Sequence, residues 1–289
     1  MDRVLFGDNQ FFGVNHMSEE KARQQLMRFS SIDSIQRVLD DAYDAGIHTF
    51  MCTTHDRISQ ICDHIRENPS RYPEFKFYPC MPYAHKYADA VTDLGPTKAL
   101  QSFLKGSRLI DLIAHSSKAI AKLDPVQLMK ILVDAEMKMF KGLNTPVIFL
   151  QNVIVDLIMG LGYSEVFKSF EDYIKEKYNA EAGFITMNLP RLLDELEAVG
   201  VENPIVCSNV NKIGFRMCGG IEEYERVIAE RKFRPIAMSI FASGAVAPKE
   251  AIDYVCNLKG LQSVVFGASS KKNIVQSKKL IDESFNNTQ

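Results

Sequence analysis

Residues 234–280 read RPIAMSIFASGAVAPKEAIDYVCNLKGLQSVVFGASSKKNIVQSKKL. Two apolar runs, PIAMSIF and LQSVVFG, each give way to small polar residues and then to an amphipathic helix pattern. An uninterrupted apolar run bounded by turn residues is the mark of a parallel strand covered on both faces, and a helix after it returns the chain to the next strand. The second junction, Gly267-Ala268-Ser269-Ser270-Lys271-Lys272, places small residues, two hydroxyls and two cations at a predicted helix start. Unpaired backbone N–H groups and the helix dipole favour an anion there, so these residues predict a phosphate-bearing ligand.

The same grammar recurs upstream. Apolar periods predict strands at about Arg3–Gly7, His48–Cys52, Lys76–Cys80, Pro146–Leu150, Ala182–Met187, Pro204–Cys207, Pro235–Ile240 and Ser263–Phe266. Eight is the number that closes a (β/α)8 TIM barrel of the α/β class. Between the strands, Ile35, Val38, Leu39 and Ala42 repeat at helical spacing, as do Leu192, Leu193, Leu196 and Val199. Asn188 ahead of Pro190, and Gly200 after the last apolar position, supply start and stop chemistry for the second of these helices. The interval from Pro82 to Asn144 is too long for one connection. Its helical patterns, including Val126, Met129, Leu132 and Val133, predict an insertion over 82–144 on the rim of a single barrel domain spanning 1–289. That insertion serves as a lid, as added packing or as a homo-oligomer contact.

A chain of 289 residues, 46% of them hydrophobic, suits one barrel. With 34 basic and 36 acidic residues, a net charge of −2 gives no basic excess for nucleic acid. No apolar run reaches membrane-spanning length, and the N-terminal residues MDRVLFGDNQFFG carry charges where a secretory signal would be apolar. Six scattered cysteines, at 52, 62, 80, 207, 218 and 256, fit a reducing cytoplasm.

In a barrel of this kind the ligand meets the C-terminal strand ends, so the residues just after each strand are the candidates. Asp8, His55, Asp56 and Gln151 are the candidate catalytic groups, with His55 or Asp56 moving a proton near neutral pH. Asn9, His85, Asn152, Asn188 and Asn209 are expected to bind substrate, since uncharged amides suit a polar ligand. Ser243, Gly244, Gly267, Ser269, Ser270, Lys271 and Asn273 are expected to hold a phosphate-bearing cofactor or substrate. For any one Asn or Ser, capping of the following helix is the competing use. Cys52, His55, Cys80, His85 and Cys207 contain no close ligand pair, so no metal site is assigned.

Three stretches resemble the aldo-keto reductases, which are NADP-dependent (β/α)-barrel enzymes. Residues 42–50 (AYDAGIHTF) are similar to that family's approach to its second strand. Residues 235–244 (PIAMSIFASG) resemble its seventh strand and following loop, and residues 264–270 (VVFGASS) its eighth. The resemblance implies the barrel fold and NADP as a cofactor. It also implies a catalytic Asp, Tyr, Lys and His, none of which this chain keeps. Met51 stands for the Asp, Asp56 for the Tyr, Cys80 or Met81 for the Lys, and Gln151 or Asn152 for the His. The leading expectation is a soluble barrel enzyme of open reaction class acting on a small phosphate-bearing molecule. The alternatives are a divergent NADP-dependent oxidoreductase and a non-catalytic binding or assembly barrel.

Overall fold

The computed structural model describes residues 1–14, 18–83 and 124–287. Eight parallel strands close on themselves in sequence order: β1 (Val4–Gly7), β2 (Thr49–Thr53), β3 (Lys76–Met81), β4 (Val147–Leu150), β5 (Glu181–Thr186), β6 (Ile205–Asn209), β7 (Arg234–Met238) and β8 (Ser263–Phe266). The closing pair sets Leu5 beside Val265 and Phe6 beside Phe266. The expected strands are all present, displaced by no more than two residues at their ends.

The outer ring contains α1 (Glu19–Arg28), α2 (Ile32–Asp44), α3 (Asp56–Glu67), α4 (Pro125–Met137) and α5 (Asn152–Leu161). It continues with α6 (Glu165–Tyr178), α7 (Leu189–Ala198), α8 (Ile221–Glu230), α9 (Pro248–Cys256) and α10 (Lys271–Asn287). The apolar stripes face the sheet: α2 buries Ile35, Val38, Leu39 and Ala42, and α7 buries Leu192, Leu193 and Leu196. Asn188 caps α7, its side chain accepting from the Arg191 N–H at 3.4 Å.

Two cores result from strand alternation. Outward residues such as Phe6, Phe50, Phe77 and Phe184 pack under the helices. Inward residues Leu5, Tyr78, Val147, Phe149, Ile205 and Ile236 fill the barrel's interior. Gly183 is required there, because a Cβ at that position would lie 2.3 Å from the Phe149 ring.

Helix α1 differs from the expectation: it lies in the β1–α2 connection, where the sequence pattern marked no element. It buries no residue completely, so it has no apolar stripe for periodicity to register. Of the expected insertion, residues 84–123 lie outside the described residues. Its described end is α4, opened by Asp124 and Pro125 and seated on the barrel by Glu136. That buried carboxylate accepts from the Thr54 hydroxyl at 2.5 Å and the Tyr83 N–H at 3.1 Å.

Candidate functional site

A cavity of about 690 Å³ opens at the C-terminal strand ends. Its floor is the top layer of inward side chains: Met51, Cys80, Ile185, Cys207, Met238 and Val265. Around this soft apolar floor stand amides, hydroxyls and the Asp8 carboxyl. Asp8, Asn9, Gln10 and Gln25 line one side, Gln151 and Asn152 another, and the β7 and β8 junctions a third. Among the described residues, no Lys, Arg, His or Tyr lines this cavity.

Asp8 follows β1 and begins a short 3-10 turn over Asn9–Phe12. The turn is anchored from below by Phe11, which is fully buried and meets Phe29 edge-on at 5.0 Å. With its backbone so held, Asp8 is buried, only 5% exposed. Thr53 donates to Oδ2 from both its backbone N–H and its hydroxyl, each at 2.7 Å. Burial is the larger influence, and it pushes Asp8 up to about 6 despite those two donors. A carboxyl that titrates there can give or take a proton near neutrality.

Ser239, Ala242 and Ser243 after β7 all adopt positive φ, at 56°, 45° and 58°. Left-handed backbone at non-glycine residues costs roughly 1 kcal/mol or more each and is concentrated at functional sites. Ser243 and Gly244 line the cavity from this loop. Lys21, brought by α1, sets its ammonium 3.8 Å from where a side chain on Gly244 would begin. After β8, Gly267, Ser269 and Asn273 line the wall at the start of α10.

Several expected residues lie elsewhere. His55 caps α3, its Nδ1 accepting from the Arg57 N–H at 3.1 Å, and its ring stacks on Phe12 at 4.3 Å. Asp56 is exposed on the first turn of α3, and neither residue of the pair lines the cavity. The reason is local: a residue that caps a helix points along the helix axis, and the next one points outward. Asn188 is occupied as a cap, and Asn209 spends its amide on the Arg216 carbonyl at 3.0 Å, holding the loop after β6. Lys271 turns to Asp41 on α2 at 3.4 Å, and Ser270 accepts from the Asn273 N–H at 3.4 Å. His85 lies outside the described residues.

The cysteines at the floor are not activated. Burial drives the Cys80 thiol well above its ordinary value, and Cys207 likewise. All six cysteines are free thiols, and only Cys218 is exposed. Among the described residues, no group of three or more His, Cys, Asp or Glu side chains could hold a metal ion. None of the described helices is long and apolar enough to cross a membrane. At the opposite end of the barrel, a hollow of about 480 Å³ is lined by polar side chains already partnered with one another, Asp2 with Lys76 and the His48 ring with Glu74.

Solved structures similar to this one include aldo-keto reductases. A candidate aldo-keto reductase from Pseudomonas aeruginosa superposes with a TM-score of 0.59 at 10% identity, over 98% of this chain and 90% of its own. An aldo/keto reductase from Brucella melitensis gives 0.54 at 10% identity, over 99% and 93% of the two chains. A candidate 2,5-diketo-D-gluconic acid reductase B gives 0.55 at 10% identity, over 99% and 85%. No protein-family profile matches the sequence. No curated protein matches it in sequence either. The likeness is therefore one of architecture, and it defines an aldo-keto reductase-like (β/α)8 barrel. Of the residues that stand where the resemblance implies an Asp, a Lys and a His, Met51, Cys80, Gln151 and Asn152 line the cavity and Met81 does not.

Proposed function

We propose that this barrel is an enzyme that binds a phosphate-bearing polar molecule, with Asp8 moving the proton. The observation that carries the reading is one continuous cavity joining a buried carboxyl, raised to about 6, to the first turn of a 17-residue helix. Gly267, Ser269 and Asn273 offer small side chains and polar groups at that helix start, where an anion is favoured. Lys21 supplies a nearby cation at the β7 side. The strained β7 loop and the amides of Gln151 and Asn152 orient the rest of the ligand. Asp8 replaces His55 and Asp56 in the proton-transfer role, because it alone of the three lies in the cavity wall. A cavity of this size supports ligand binding over a purely structural barrel. Six unpaired thiols support a cytoplasmic location.

The test is calorimetric titration of the full chain with inorganic phosphate, alone and in a Ser269→Glu variant. Saturable binding that the added carboxylate abolishes is the expected result. No binding to the unaltered protein removes the phosphate reading.

A second reading, an NADP-dependent oxidoreductase, is favoured by the architecture and by the β7 and β8 junctions that share this cavity. In that reading NADPH quenches or enhances fluorescence at micromolar concentrations, whereas hydride transfer proceeds without the Asp, Tyr, Lys and His of the similar enzymes. Absence of any NADPH or NADH binding eliminates it.

A further inference from the structure

The two oxygens of the Asp8 carboxyl are not equivalent. Gly7, just before Asp8, pairs with Met51 across β1 and β2, and Thr53 stands two residues beyond Met51, itself paired with Cys80 of β3. A β-branched side chain held on a paired strand has little freedom to turn. Thr53 gives both of its donors, the backbone N–H and the hydroxyl, to the same oxygen, Oδ2, at 2.7 Å each. Among the described residues, no other residue donates to Oδ1. The described side-chain atoms that are sealed from solvent and also lack a partner are Gln10 Oε1, pressed over Gly267, and Gln25 Oε1. Asp8 Oδ1 is not one of them, so it opens to the cavity that Asp8 lines.

Each carboxylate oxygen offers about two lone-pair sites. Oδ2 is therefore full, and Oδ1 is where a proton finds room. The titratable groups that face Asp8 are the Cys52 and Cys80 thiols, which burial first and the Asp8 charge second hold well above their ordinary value. Both are neutral near pH 7, and no Lys or Arg among the described residues lines the cavity. Burial disfavours the ionised carboxyl, and the two Thr53 donors are the largest influences in its favour.

Resting on the reading of Asp8 as the group that moves the proton, we infer that Thr53 is a positioning residue that reserves Oδ2 for the charge and leaves Oδ1 as the atom that exchanges the proton with the ligand. When Oδ1 takes a proton, the carboxyl becomes neutral and the ligand keeps the electron pair of the broken bond. The return transfer restores the negative charge, which the Thr53 donors hold at Oδ2.

Carbon-13 NMR of the full chain, labelled at the Asp carboxyl carbons, follows the titration, with the Asp8 signal identified by its loss in Asp8→Asn. Thr53→Val removes the hydroxyl donor and should raise the Asp8 midpoint by about one pH unit, the worth of a charge-assisted hydrogen bond. Thr53→Ser keeps the hydroxyl and should leave the midpoint in place. Thr54→Val, which loses the neighbouring bond to Glu136 on α4, should not move it either. In an atomic-resolution crystal structure of the unaltered protein at pH 5, Cγ–Oδ1 should be the longer of the two carboxyl bonds, because a protonated oxygen is singly bonded. That measurement decides the question should Thr53→Val fold poorly by circular dichroism. A midpoint that Thr53→Val does not move, a shift that Thr53→Ser or Thr54→Val reproduces, or a Cγ–Oδ1 bond that is not the longer overturns the inference and leaves Asp8 as the proton-moving group. A midpoint at the ordinary 3.8 in the unaltered protein overturns both.

Discussion

Replacing Asp8 by Asn should make this protein more stable at neutral pH. Both Thr53 donors reach the same carboxylate oxygen, Oδ2, so an amide oxygen in its place keeps both bonds. What the substitution removes is the negative charge of a residue that is 5% exposed, with no Lys or Arg among the described residues that line the cavity. The sign follows from linkage. In the unfolded chain Asp8 titrates at its usual 3.8, and in the folded protein at about 6. Below both values the carboxyl is neutral in either state and its ionisation has no bearing on stability. Between them the unfolded chain loses its proton first, so stability falls as pH rises, levelling above about 6. The gap corresponds to about 3 kcal/mol at about 1.4 kcal/mol per pH unit. Urea unfolding of both proteins from pH 4 to pH 8 measures it. The Asp8→Asn variant should match the unaltered protein near pH 4 and exceed it by about 1–3 kcal/mol above pH 7. A variant that is less stable at pH 7.5, or a difference that does not grow with pH, refutes the account of a strained, buried carboxyl. Once a substrate is known, the same variant should lose roughly a hundredfold or more in turnover.

Ser243→Gly should raise stability by about 1 kcal/mol in thermal or urea melts, because glycine meets no penalty at φ 58°. Gly183→Ala should lower it by about 1–3 kcal/mol, since the added methyl would overlap the Phe149 ring in the barrel's interior. His55→Ala should cost about 1 kcal/mol through the lost α3 cap, with phosphate affinity unchanged by calorimetry. Iodoacetamide at pH 8 should modify Cys218 in the native protein and leave Cys80 and Cys207 unlabelled until unfolding, as peptide mass mapping would read. Rapid labelling of Cys80 would contradict its burial and its raised thiol.

The order and nature of the barrel's elements are written in the sequence by itself. A doubly covered strand must be apolar along its length, and a covering helix must carry a stripe, so β8 and the buried face of α2 are visible in a window of a few residues. Helix α1 escaped because a helix that buries none of its residues needs no stripe.

Which strand-end residues share a cavity was decided only in three dimensions. Asp8 and His55 are equally plausible as residues after a strand, yet a 3-10 turn pinned by Phe11 sends Asp8 inward while capping geometry commits His55 to α3. Asn209 and Lys271 likewise found partners close at hand, the Arg216 carbonyl and Asp41. Gln10 became notable only against Gly267, 257 positions along the chain, because closing the barrel brings its first strand against its last. Periodicity records how one segment meets one surface. The direction of a single side chain is set by contacts between segments far apart in sequence, and those exist only once the barrel has closed.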